Sequence, residues 1–99
     1  MSRNKEVFDA IFRKAVEWMA DCPEGDSRGV EKSVGQMYVV LHATYVYTTT
    51  MSIRFYDLMM HMDGKFSVNN GKGEYVPCAD PMSAFDAFVK GCINERGDD

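Results

Sequence analysis

The sequence predicts a two-layer α+β domain: an antiparallel sheet of three to four strands, with an N-terminal and a C-terminal helix packed on one face. Three observations carry this expectation. The stretch from Val34 to Met62 is dense in Val, Tyr, Thr, Ile and Phe, and has no Pro and a single Gly. Such residues suit a pleated, half-buried surface. On either side of it apolar residues recur at three- and four-residue steps, the period of a helix with one buried face. Finally, 99 residues, 45% of them hydrophobic, suffice for one core that buries roughly 65% of the unfolded surface without metal or disulfide staples. The expected order is α-β-β-β-(β)-α over a single domain, residues 1–99, with 95–99 as a fraying tail.

The first helix is expected over residues 4–22. Phe8, Ile11, Phe12, Ala15, Met19 and Cys22 form its apolar stripe, Asn4 is suited to cap it, and Pro23 stops it. Mixed charges on its polar face argue against a membrane-surface role, and core packing is favoured over a partner-binding one. Residues 23–33 read as a loop, punctuated by Pro23, Gly25 and Gly29. Glu24 and Asp26, close to Asp21, give that loop a small negative patch that suits a basic partner.

Alternation then takes over. Met37, Val39, Leu41, Ala43, Tyr45 and Tyr47 share one strand face, wholly apolar or aromatic, which should meet the helices. The other face is mixed. A reversal is expected within 47–50, since strands rarely exceed about ten residues. The second strand should run from about residue 50 to 62, with Met51, Ile53 and Phe55 on its apolar face and Ser52, Arg54 and Tyr56 on its polar one. The pattern degrades at Leu58-Met59-Met60, which implies a bulge or burial on both sides. Asp63-Gly64 signals a two-residue hairpin turn, after which 65–68 should pair back. Residues 69–73 form a second turn, and 74–76 a short edge strand ended by Pro77. Asp80-Pro81 opens the last helix as N-cap and first helical residue, followed by a stripe from Met82 to Ile93. Gly91 within it marks a close approach to a neighbour.

Several function classes are disfavoured by composition. With 15 acidic against 11 basic residues and a net charge of −4, the chain lacks the clustered Lys and Arg that nucleic acid demands. No apolar run reaches the length of a membrane span. The first residues lack the features of a signal peptide, and three cysteines, an odd number without close spacing, suit reduced thiols in a cytoplasm. No metal, cofactor or nucleophile motif is present: the two histidines, His42 and His61, have no ligand spacing. Met59-Met60-His61-Met62 is a poor soft-metal site, because alternation sends Met60 and Met62 to the side opposite Met59 and His61.

What remains is the second face of the long strands. It is expected to combine Tyr38, Val40, His42, Thr44 and Val46 with Ser52, Arg54 and Tyr56. Two helices cover only one sheet face, and Tyr and Arg are enriched at interface centres. The leading expectation is a small non-enzymatic protein-binding module, an inhibitor or adaptor that binds through this face and the acidic loop, with a second copy of itself among the candidate partners. Its size, acidity and lack of catalytic signatures match the class of phage and mobile-element proteins that inhibit host machinery, anti-CRISPR proteins among them. That is a match of class, carried by no motif. The competing expectation is a small-molecule site or enzyme centred on His42 or His61 with a nearby carboxylate.

Overall fold

The computed structural model describes residues 2–47 and 52–96. Helix α1 (Ser2–Ala20) leads into five strands, β1 (Ser27–Val34), β2 (Tyr38–Tyr47), β3 (Ser52–His61), β4 (Phe66–Asn69) and β5 (Tyr75–Pro77), and helix α2 (Pro81–Arg96) closes the chain. The strands form one antiparallel sheet in sequence order, β1-β2-β3-β4-β5. The α+β class and the two helices on one sheet face are as expected. The sheet has five strands, not three to four.

The additional strand is β1, in what the sequence presents as a loop. Only its first part turns: Gly25 takes φ 92° and the Asp26 amide donates to the Pro23 carbonyl at 3.2 Å. From Ser27 onwards every residue pairs with β2, from Ser27 opposite Val46 to Val34 opposite Val39. Glu31 and Lys32 suit it to the sheet edge, where charged side chains oppose pairing with another chain. Arg28 fastens it to the core side. Its guanidinium lies 4.7 Å from the Trp18 ring centre and 5.1 Å from that of Tyr45, and it donates to the Trp18 carbonyl at 2.5 Å.

The core lies between the helices and one face of β2 and β3. Phe8, Ile11, Ala15 and Trp18 come from α1, and Phe85, Phe88 and Cys92 from α2. Leu41, Ala43, Tyr45 and Tyr47 of β2 meet them, as alternation predicts, together with Tyr56 and Leu58 of β3. Full burial of a residue such as Leu41 or Leu58 contributes about 1.5–3 kcal/mol. Trp18 joins the helices, with ring centres 6.3 Å from Phe85 and 5.4 Å from Phe88. Buried tyrosine hydroxyls then tie α2 to the sheet. Tyr56 donates to the Pro81 carbonyl at 2.9 Å and Tyr47 to the Cys92 carbonyl at 2.9 Å. Burial pushes the Tyr56 phenol well above its usual range, because a phenolate there would lack solvent.

Local chemistry explains the other boundaries. α1 begins before Asn4, so Asn4 is not its cap. Instead the Asn4 side-chain amide donates to the Gly64 carbonyl at 2.8 Å and pins the β3–β4 turn to the helix. That turn is a three-residue loop, Met62-Asp63-Gly64, not a two-residue one. The His61 amide bonds the Lys65 carbonyl, the Gly64 amide bonds the His61 carbonyl, and Gly64 takes φ 90°, the left-handed position that such loops require. Asp80 does cap α2, accepting from the Ser83 amide at 3.1 Å and the Ser83 hydroxyl at 2.8 Å. The β2–β3 ladder is unbroken from Tyr47–Ser52 to Tyr38–His61, so the weakened alternation at Leu58-Met59-Met60 reflects two-sided burial and not a bulge. The reversal expected within 47–50 falls on 48–51, outside the described residues.

Candidate functional site: the open sheet face

Opposed residues in an antiparallel ladder point to the same face, so the registers assign every strand position. Odd positions of β2 oppose even positions of β3: Leu41 meets Leu58, Ala43 meets Tyr56, and Tyr45 meets Arg54. Ser52, Arg54 and Tyr56 therefore belong to the helix-covered face. The sequence expectation placed them outside, and for Arg54 and Tyr56 this is a correction. Tyr56 is 6% exposed and sits among Phe85 and Phe88, while the Arg54 guanidinium lies beneath α2 at Gly91. The periodicity of β3 is as expected and its sides are exchanged.

The exchange brings a different set of residues to the open face. Tyr38, Val40, His42, Thr44 and Val46 remain there, as expected, and their β3 neighbours are His61, Met59, Asp57, Phe55 and Ile53. β1 adds Ser27, Gly29, Glu31 and Ser33 beside them. Ser67 continues the Met59 row in β4, and Pro77 stands beside it in β5, as Tyr75 does beside Asn69. Ile53 is 64% exposed, Tyr38 44%, Phe55 42% and Tyr75 39%. A solvated sheet face is ordinarily polar. Here two large apolar side chains of β3 face outward while an arginine from the same strand is turned inward.

At the centre of this face His42 and Asp57 stand directly opposite one another, and the imidazole Nδ1 is hydrogen-bonded to the Asp57 carboxylate. Asp57 is 9% exposed, so a carboxylate that has largely lost water has the imidazole as its partner. The Phe55 ring stacks beside His42, with centroids 6.4 Å apart and planes 26° apart. Tyr75 is drawn into the same group. Partial burial first, then the negative charge of Asp57 and the neighbouring Tyr38, raise its phenol above the ordinary value. Sequence reasoning placed His42 on this face and expected a nearby carboxylate, without singling out Asp57. It missed Phe55, Ile53 and Tyr75, the first two because they are apolar and were assigned to the core.

The other expected site residues lie elsewhere. Glu24 is exposed in the turn before β1, but Asp26 is committed to structure, since its carboxylate accepts the Tyr45 hydroxyl at 2.5 Å. The two do not form one free acidic patch. His61 sits at the far end of the face, its Nε2 3.4 Å from the Ser67 hydroxyl, and the Val40–Met59 pair stands between its row and that of His42. Met37, Val39, Met60 and Met62, with Lys5 from α1, help to line a cleft of about 660 Å³ at that end of the molecule. Met60 opposes Val39 and Met59 opposes Val40, so the methionines divide between the two faces as alternation requires. Among the described residues, no three His, Cys, Asp or Glu side chains gather in a way that could hold a metal ion, and no helix is long and apolar enough to cross a membrane.

No family model matches the chain, and neither a curated protein nor a solved structure shows significant similarity to it.

Proposed function

We propose that this chain is a non-enzymatic protein-binding module, an inhibitor or adaptor, whose open sheet face is its contact surface. The observation that supports this reading is the outward placement of Ile53 and Phe55 while Arg54 lies beneath α2. Full burial of such a side chain contributes about 1.5–3 kcal/mol, and part of that is forgone while Ile53 and Phe55 stay in water. A contact that covers them recovers that free energy. Aromatic side chains flank the His42–Asp57 pair, Phe55 stacked beside His42 with Tyr38 and Tyr75 partly exposed on the same face, and aromatic residues are enriched at interfaces. The strand residues of this face include no Lys or Arg, which fits a protein surface and not a polyanion.

The discriminating experiment is affinity capture from host lysate with wild type, Phe55→Asp, and a control on the helix side, Lys90→Asp. Loss of the same captured protein with Phe55→Asp alone is expected. Retention by Phe55→Asp, or equal loss with the control, would sink the assignment of the face. In this reading the match of class to host-inhibiting proteins of phages and mobile elements adds a place to look for the partner and nothing about its chemistry.

The His42–Asp57 pair supports a second reading, a small-molecule or catalytic site. A carboxylate that orients an imidazole is one half of an acid–base arrangement. Titration of both imidazoles by NMR against a library of small metabolites tests it. Shifts confined to His42 would favour this reading, and invariant His42 and His61 resonances would leave the protein-binding one.

A further inference from the structure

We infer that the cleft at the end of the β2–β3 ladder is a binding site for a small amphipathic carboxylate, one with an unbranched hydrocarbon body. Two hydrogen bonds hold its walls. The Met62 amide donates to the Met37 carbonyl at 2.8 Å, which joins the β1–β2 and β3–β4 turns beyond the last ladder pair, Tyr38 and His61. The Asn4 side chain, bonded to the Gly64 carbonyl at 2.8 Å, holds the first turn of α1 against the same place. The cleft measures about 660 Å³, within the ~300–1,000 Å³ of small-molecule sites. The inference does not depend on the open sheet face, since Met60 and Val39 lie on the helix-covered one.

The apolar lining defines the body of the ligand. Met37, Val39, Met60 and Met62 bring hydrocarbon and thioether surface to the cleft. Met37 is 61% exposed and Met62 64%, so an occupant covers apolar area that the fold leaves in water. Three unbranched methionine side chains make an adaptable wall, suited to a flexible chain more than to one rigid outline.

Charge defines the head group. The chain carries −4, yet the described lining residues include no Asp or Glu, and Lys5 is the formal charge among them with His61 counted as neutral. Lys5 makes no ion pair among the described residues. The acids beside it in sequence and space serve other places. Asp63 accepts from the Lys65 amide at 3.0 Å, and Glu6 lines a separate hollow with Val7 and Met82. Gln36 and His61, the other polar side chains of the lining, can each donate a hydrogen bond. A carboxylate at this rim meets donors and a cation, whereas an ammonium head meets like charge. The thioethers by themselves suit a soft cation, and Lys5 opposes that occupant as well.

The test titrates the full chain, labelled with carbon-13 at its methionine methyl groups, with decanoate and with decylamine. The two probes share a hydrocarbon body and differ in head group, and both are kept below micelle-forming concentrations. Decanoate is expected to shift the Met37, Met60 and Met62 signals saturably and to leave those of Met59 and Met82 in place, with decylamine the weaker ligand. Lys5 is exposed, so its variants should fold. Lys5→Ala should weaken decanoate by about two- to five-fold, the worth of one partly exposed ion pair, and Lys5→Glu should turn the preference towards decylamine. Met37→Ser with Met62→Ser, which removes the exposed apolar wall, should weaken both probes. Decanoate shifts that do not saturate, or that spread equally to Met59 and Met82, overturn the inference. Equal or tighter binding of decylamine by wild type overturns it too, as does a decanoate affinity indifferent to both Lys5 variants.

Discussion

His42 of β2 and Asp57 of β3 oppose each other across the central ladder and share a hydrogen bond on the face that carries no helix. The pair is asymmetric: the His42 side chain is 42% exposed and that of Asp57 11%. Removing the imidazole leaves a carboxylate in low-dielectric surroundings with less solvation than it needs. His42→Ala is therefore expected to lower unfolding free energy by about 1–3 kcal/mol. His42→Ala with Asp57→Ala together should cost less than the sum of the two single changes, because neither partner is then stranded. Urea titrations of the four proteins measure the coupling, and additivity would show that the pair is not energetically linked.

Asp80 gives the fold an acid-sensitive element. Hydrogen bonds from the Ser83 amide and hydroxyl hold its carboxyl below the ordinary value of 3.8, since they favour the ionised cap. A carboxyl whose folded pKa is depressed stabilises the fold above its unfolded pKa, and that contribution disappears as pH falls through the folded one. Thermal melts from pH 7 down to pH 3 should show a steeper loss for wild type than for Asp80→Asn. The latter keeps a capping oxygen but cannot be protonated. Parallel curves would refute the assignment.

At the alkaline end Tyr56 acts with the opposite sign. Burial raises its folded pKa above the ordinary 10.0, so its contribution is complete below about pH 10 and is lost as pH climbs towards the folded value. Tyr56→Phe should remove one net hydrogen bond, the one to the Pro81 carbonyl, at a cost of about 0.5–1.5 kcal/mol near neutrality. It should also flatten the stability decline above pH 10. A variant as alkali-sensitive as wild type would place that sensitivity on other groups.

The sequence made the helices and the helix-covered face of β2 legible because their signals are local: a 3.6-residue stripe, a Pro stop, an Asp-Pro start and strict alternation from Met37 to Tyr47. It left β1 unread because an edge strand needs no apolar pattern. Ser27, Gly29, Glu31 and Lys32 look like a loop until β2 lies beside them. The sides of β3 were unreadable for a different reason. Alternation identifies two faces but not which one is covered, and that depends on the parity of the connection between Tyr47 and Ser52. Hydrophobicity then pointed the wrong way, because Ile53 and Phe55 are more apolar than Arg54 and Ser52. A rule of local burial fails at this strand.

Gly91 shows how that exchange of sides reaches into α2. A β-carbon built there would lie 2.9 Å from the Arg54 guanidinium carbon and closer still to one of its nitrogens, because the register directs Arg54 beneath the helix. In an exposed helix interior, replacing Gly with Ala stabilises by about 0.8–1 kcal/mol. Here the methyl group displaces a guanidinium already packed between α2 and the sheet, so Gly91→Ala is expected to destabilise wild type. The same change in an Arg54→Met background, where a flexible unbranched side chain can yield, should regain the ordinary helix gain and change sign. Chemical denaturation of the four combinations decides it. Stabilisation by Gly91→Ala in both backgrounds would mean that Arg54 is not held beneath α2, and the outward assignment of Ile53 and Phe55 would fail with it, since one register sets all three.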